Sequence, residues 1–128
     1  IYLYFWRDKM SDIDVYVLSG NYTKRLLYLL KHLQMNKLVT AECLLNYGFT
    51  NYDAPYYYKV WSILESDKYP VSFAMTIKKK GMKIESFELL DENFMQPHPC
   101  GKEEYEQIKK IVTKMIDKNI LEVYTNDK

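Results

Sequence analysis

The stretch "VSFAMTIKKKGMKIESFELL", Val71 to Leu90, predicts two β-strands joined by a tight turn. Apolar side chains alternate along the first strand and recur in or beside the second, which places them on one face of a sheet. These side chains are Phe73, Met75, Ile77, Ile84, Phe87 and Leu89. Three consecutive lysines, Lys78 to Lys80, lie at the tip, either as a solvated loop or as a contact for nucleic acid.

The segment before this hairpin, residues 54–66, is predicted to form a helix. Its sequence "APYYYKVWSILES" carries Pro55, which is tolerated in the first turn of a helix. Four residues recur at three- and four-residue spacings: Tyr57, Val60, Trp61 and Leu64. Such a stripe is typical of a helix packed on a core, and it directs Tyr56, Lys59 and Ser62 toward solvent.

Two further helices are predicted upstream. The stretch "YTKRLLYLLKHLQM" is amphipathic, with apolar residues at helical spacing: Tyr22, Leu26, Leu29, Leu30 and Leu33. After it, the hydroxyl of Thr40 is placed to cap "AECLLNY", residues 41–47. Gly48 then closes this short helix at a position that favours a left-handed residue.

The remaining segments flank this region within a single domain, since 128 residues match the usual size of one domain. Residues 1–20 are predicted to form a strand or ordered arm, with Ile13, Val15 and Val17 alternating. Residues 91–101, with two prolines and a glycine, form a connector. Residues 102–128 are predicted to form an amphipathic helix over residues 102–118 and a closing strand at "ILEVY".

The order of helix, short helix, glycine turn, longer helix and two-stranded hairpin resembles the winged helix-turn-helix family. The likeness is carried by "TKRLLYLLKHL", "TAECLLNYGFTN", "DAPYYYKVWSILESDKYPV" and "SFAMTIKKKGMKIESFELL". The resemblance implies an α+β fold in which residues 21–90 form three helices and a β-hairpin wing. The N-terminal strand or arm and an extra C-terminal helix extend this core.

The resemblance further implies a third helix that enters the major groove and a wing that lies along the phosphate backbone, where basic side chains neutralise phosphates. Tyrosine hydroxyls can bond phosphates, and tyrosine rings can stack on unpaired bases. The candidate nucleic-acid-binding residues are Lys24, Arg25, Asn51, Tyr52, Tyr56, Lys59, Lys78, Lys79, Lys80 and Lys83.

Charge is unevenly distributed, although the formal net charge is only +1. Residues 21–83 hold ten lysine and arginine residues against four acids, whereas residues 84–128 hold six against ten. The middle of the chain is therefore the basic part, which favours a localised site for an anionic partner over nonspecific coating of DNA.

The sequence offers little for catalysis, metal binding or membrane insertion. It has no glycine-rich phosphate loop and no histidine with a recognisable acid or nucleophile partner, so we expect neither an enzyme nor a cofactor. His98 and Cys100 are too few for a metal site. Cys43 and Cys100 do not make a disulfide framework, which indicates a reducing compartment, the cytoplasm or, in a eukaryote, the nucleus. No apolar run is long enough to span a bilayer.

Two functions remain open. The first is a non-catalytic protein that binds double-stranded DNA, in regulation or in replication or maintenance, with a possible homodimer through the 102–118 helix. The second is a protein-protein interaction module, such as an inhibitor, immunity or assembly factor, that uses the exposed tyrosines. Binding through lysines weakens steeply as salt rises, whereas a tyrosine-centred interface is much less sensitive.

Overall fold

The computed structural model describes residues 4–6, 22–65, 70–92, 96–97 and 100–123 of the chain. These residues form three helices: α1 Thr23–Lys31, α2 Ala41–Tyr47 and α3 Lys102–Asp117. They also form eight strands: β1 Tyr4–Trp6, β2 Leu33–Met35, β3 Thr50–Tyr52, β4 Tyr57–Leu64, β5 Val71–Lys78, β6 Lys83–Asp91, β7 Gln96–Pro97 and β8 Leu121–Val123. In this described part, no helix is long and apolar enough to cross a membrane.

An antiparallel sheet forms the centre of the molecule. Its strands follow the order β1-β6-β5-β4-β3, and β7 also pairs with β6. β5 pairs with β4 along its whole length and with β6 on its other side, and residues 71–77 are all buried. A separate two-stranded sheet joins β2 to β8, which brings Leu33 opposite Val123.

One face of the large sheet carries the hydrophobic core. Alternate residues of the central strands point to this face, because successive side chains of a strand point to opposite sides. Side chains from α1 and α3 share the same core cluster, so these helices cover that face. The core includes Leu26, Leu30, Phe73, Met75, Ile77, Phe87, Leu89, Ile108, Val112 and Met115.

The prediction of a helix over residues 54–66 is wrong. Residues 53–56 form a turn, and residues 57–64 form strand β4 between β3 and β5. Tyr58 and Leu64 lie in the core, whereas Trp61, predicted to be buried, is 46% exposed. The segment is rich in aromatic and β-branched residues, which favour strands, and pairing on both edges supplies the backbone hydrogen bonds that a helix would make internally.

The expected winged helix-turn-helix fold is therefore also wrong, although the α+β class is correct. Among the described residues between the glycine turn and the hairpin there is no third helix, because Gly48 leads into the β3–β4 pair. The predicted wing exists as strands β5 and β6, but these are the buried centre of a six-stranded sheet.

Several local predictions are confirmed. Helix α2 spans Ala41–Tyr47, with Thr40 accepting a hydrogen bond from the backbone N–H of Cys43 at 3.2 Å. Gly48 has φ 129°, a backbone conformation that favours glycine. The C-terminal helix and the strand after it are α3 and β8. The first helix ends earlier than predicted, at Lys31, and Leu33–Met35 forms β2 instead.

The predicted N-terminal strand or arm is described only in part. Tyr4–Trp6 forms β1, which pairs with β6. The predicted alternation of Ile13, Val15 and Val17 lies outside the described residues. Within the predicted connector, residues 91 and 96–97 belong to strands β6 and β7.

Candidate nucleic-acid interface

Four lysines lie at the turn between β5 and β6, and we call this set the basic tip: Lys78, Lys79, Lys80 and Lys83. The turn closes with a hydrogen bond from the backbone N–H of Met82 to the carbonyl of Lys79 at 3.2 Å. Gly81 has φ 85°, which an L side chain adopts only with strain. Sharp reversal at glycine thus keeps the lysines together at the end of the sheet.

The basic tip is anchored to the neighbouring β3–β4 turn. The backbone N–H of Lys79 donates to the carbonyl of Tyr56 at 2.9 Å. The ammonium group of Lys79 donates to the side-chain oxygen of Asn51 and lies 4.6 Å from the centre of the Tyr58 ring. Lys79 is therefore committed to internal contacts, whereas Lys78, Lys80 and Lys83 are exposed.

Strand register sets two of these lysines beside two tyrosines. Tyr52 of β3 pairs with Tyr57 of β4, Tyr57 pairs with Lys78 of β5, and Lys78 pairs with Lys83 of β6. Directly opposed residues project to the same side of a sheet. This row therefore lies on the face opposite the core. Among the described residues, no carboxylate lies within the 4.0 Å of an ion pair from the ammonium groups of Lys78, Lys80 or Lys83.

Lys59 was predicted to face solvent, but it is buried. Its ammonium group lies 2.7 Å from Glu88 Oε1, and the two side chains are 9% and 14% exposed. The pair spans β5, whose small Ala74 and Thr76 lie between the two strands in register. The angles of this contact do not fit a hydrogen bond to Glu88 Oε1. The two groups therefore interact as a charge pair rather than through an aligned hydrogen bond.

Lys59 also lies beneath two exposed aromatic rings, which we call the ring pair: Tyr52 and Trp61. Its ammonium group is 4.4 Å from the centre of the Tyr52 ring and 5.0 Å from that of Trp61. The centres of the two rings are 6.0 Å apart, and the rings meet edge to face. Their side chains are 42% and 46% exposed, so the ring pair presents aromatic surface on the same sheet face as Lys78 and Lys83.

The structure unites most of the candidate residues and separates the rest. Asn51, Tyr52 and Tyr56 lie on or next to the strand and turn that contact the basic tip, and Tyr56 is 60% exposed. Lys24 and Arg25 lie on α1 and line a different groove of about 450 Å³, together with Tyr105, Glu106 and Lys109. The guanidinium of Arg25 lies 4.8 Å from the centre of the Tyr22 ring.

Sequence reasoning missed Trp61 and Glu88 as site residues. The signal for Trp61 was the alternation in "YKVWSIL", where Lys59, Trp61 and Ile63 occupy every second position, as on one face of a strand. Glu88 carried no such signal, because only the pairing of β4, β5 and β6 brings it to Lys59.

The two cysteines differ in their surroundings. Hydrogen bonds with Thr40, the side-chain one first, hold the pKa of the exposed Cys43 thiol below its usual value. Burial, with a smaller contribution from Glu104, raises the pKa of Cys100 to about 12. In the part of the chain that the structure describes, no group of three or more histidine, cysteine or acidic residues could hold a metal ion.

Comparisons with protein-family models, with curated proteins and with solved structures find no match to this chain.

Proposed function

We propose that the chain is a non-catalytic nucleic-acid-binding protein whose basic tip neutralises backbone phosphates. The observation that carries the proposal is the row that sets Lys78 and Lys83 beside Tyr52 and Tyr57 on one sheet face. Exposed ammonium groups suit phosphate oxygens, and neighbouring aromatic groups suit sugars and bases.

Phosphate contacts from the basic tip would serve a duplex or a single strand alike, so double-stranded DNA stays within the proposal. The proposal no longer includes a third helix that reads the major groove, because residues 57–64 form a strand. The proposed setting is regulation, replication or maintenance in the cytoplasm, or in the nucleus of a eukaryote. The free thiols of Cys43 and Cys100 support a reducing compartment.

The test is a titration of fluorescently labelled DNA between about 50 and about 200 mM salt, followed by fluorescence anisotropy. The variant Lys78→Ala/Lys80→Ala/Lys83→Ala removes the three exposed charges and keeps Lys79 in its contact with Asn51. We expect it to lose most of the affinity. If all three lysines contact phosphates, the negative slope of log K against log salt on duplex DNA becomes shallower by about 2.7.

A matched control removes three exposed lysines elsewhere. Lys102→Ala/Lys110→Ala/Lys118→Ala lowers the net charge equally but acts on α3 and its C-terminal end. We expect this variant to retain the wild-type affinity and salt slope. Equal losses in both triple variants would reduce the binding to nonspecific charge and would contradict a site at the basic tip.

A second candidate function, a protein-binding module, is favoured by exposed aromatic and apolar side chains on β4 and on the turn that precedes it. Tyr56, in the turn between β3 and β4, is 60% exposed, and Ile63, two residues after Trp61 on the same face of β4, is 66% exposed. Such surfaces are common at protein interfaces.

A homodimer through residues 102–118 would use the charged side of α3, because Ile108, Val112 and Met115 pack into the core. Sedimentation equilibrium tests this proposal, since a monomer at high protein concentration would contradict it.

A further inference from the structure

We infer that the nucleic acid this protein prefers is single-stranded, with the ring pair of Tyr52 and Trp61 stacking on unpaired bases. The inference rests on the proposed function and adds the form of the ligand. It follows from three features of the sheet face: the position of the rings, the way they are held, and the presentation of the exposed side chains by a sheet rather than by a helix.

The ring pair lies along β4 from the basic tip. Tyr57 pairs with Lys78, and Trp61 follows four residues later on the same face, about 13 Å away at the usual rise of a strand. The Tyr52 ring, which belongs to the lysine row, contacts Trp61 at 6.0 Å. A single-stranded nucleic acid whose phosphates contact Lys78 and Lys83 can therefore place its next bases over the rings.

The rings are held in place before any ligand arrives. Lys59 lies within 5.0 Å of both ring centres and is in turn held by Glu88 at 2.7 Å. Because Lys59 is nearly buried and its charge is paired, it acts as a positioning residue rather than as a phosphate ligand. Rings already ordered by a cation lose little conformational freedom when a base stacks on them.

The surface suits unpaired bases better than a duplex. Bases in a duplex are stacked on one another, so their faces are closed to protein rings, whereas unpaired bases present a π-face that any aromatic side chain can meet. The exposed parts of β4 project from the face of a sheet and not from a helix that could enter the major groove.

The experiment compares a labelled single-stranded oligonucleotide with a hairpin duplex of equal length and charge at one salt concentration. We expect the wild-type protein to bind the single strand at least about tenfold more tightly. Trp61→Ala is expected to weaken single-strand binding about tenfold and to leave duplex binding unchanged. Its salt slope should not change, because no charge is removed, and Trp61→Phe should recover most of the affinity.

Two control variants separate stacking from general loss of apolar surface. Ile63→Ala alters the next exposed residue on the same face of β4, and Tyr28→Ala removes a 69% exposed ring from α1. Both should bind as the wild type does. Circular dichroism and a urea titration verify that each variant is folded.

The outcomes distinguish the inference from the proposed function. Equal affinity for single strand and duplex, with loss only in the basic-tip variant, would overturn the single-strand inference and leave nucleic-acid binding intact. Absence of binding to both ligands at low salt would overturn both. A protein ligand that requires Trp61 and Ile63 but not the lysines would then support the interaction module.

Discussion

Lys59 and Glu88 join the candidate site to the stability of the sheet. A charge removed from water is stabilised by its partner, and removal of one partner leaves the other buried without compensation. Since the side chains are only 9% and 14% exposed, this cost applies to most of each group. The pair therefore acts twice, as a cross-strand contact over β5 and as the support of the ring pair.

We expect Lys59→Met to lower the free energy of unfolding by about 3 kcal/mol, because Glu88 is left buried with no counter-charge. The double variant Lys59→Met/Glu88→Leu should recover to within about 1 kcal/mol of the wild type, since two apolar side chains replace both charges. Urea denaturation measures all three proteins. A double variant less stable than Lys59→Met would contradict the buried-pair interpretation.

Thr40 and Cys43 give a prediction on pH. The Thr40 hydroxyl donates to Cys43 Sγ at 3.1 Å, which favours the thiolate and lowers the pKa of the thiol. Thr40→Ala should raise that pKa toward its usual value, so the thiolate fraction and the rate of alkylation by iodoacetamide fall at any pH below it. The loss of the helix cap should also cost about 1 kcal/mol of stability.

Rate profiles against pH for wild type and Thr40→Ala provide the measurement, with labelled positions located by mass spectrometry. Cys100 serves as an internal control, because its buried thiol with a pKa of about 12 should stay unmodified in the native protein. Superimposable profiles for the two proteins would show that the Thr40 contact has no influence on Cys43.

At the scale of elements, α3 is held to the sheet by one apolar face. Ile108, Val112 and Met115 recur at three- and four-residue spacings, and all three are buried. Ile108→Ala should lower the free energy of unfolding by about 2–5 kcal/mol, because it removes buried methyl groups and leaves a cavity. The exposed neighbour Lys110→Ala should change it by no more than about 0.5 kcal/mol. Thermal and urea unfolding compare the two variants, and similar effects would place α3 off the core.

The elements also differ in how far local signals define them. Helix α2 begins at a capping threonine and ends at a glycine, so its limits are readable from adjacent residues. Strand β4 has no such signal, since "YYYKVWSIL" places apolar residues at both two- and three- to four-residue spacings. A helical and an extended conformation of this segment would bury different side chains. The pairing with β3 and β5 selects the extended conformation.

At the scale of the whole molecule, β5 is the centre of the fold. It is paired on both edges, and its first seven residues are buried. β3, in contrast, pairs with β4 alone among the described strands and has three exposed residues. Hydrogen exchange followed by mass spectrometry should therefore show the slowest amides in β5 and much faster ones in β3, because central strands open only in global unfolding. Exchange in β5 as rapid as in β3 would contradict this arrangement of strands.

The fold decides which of the basic side chains are exposed and which are paired within the protein. The excess of lysine and arginine over residues 21–83 suggests one basic region, but the fold divides it. Lys59 is neutralised by Glu88, Lys79 is bound to Asn51, and Arg25 belongs to a groove on α1. The exposed positive charge of the candidate site is therefore carried by Lys78, Lys80 and Lys83.

The sequence by itself determined the features that depend on neighbouring residues: helix α2, the apolar face of α3, the β5–β6 hairpin and the basic tip. Caps, periodicity and turns act over a few residues, so they are legible without the fold. Tertiary structure alone decided that residues 57–64 form a strand, that Trp61 is exposed, and that Lys59 meets Glu88. These depend on hydrogen bonds and charge contacts between residues far apart in the chain, and no local pattern specifies which distant strand supplies them.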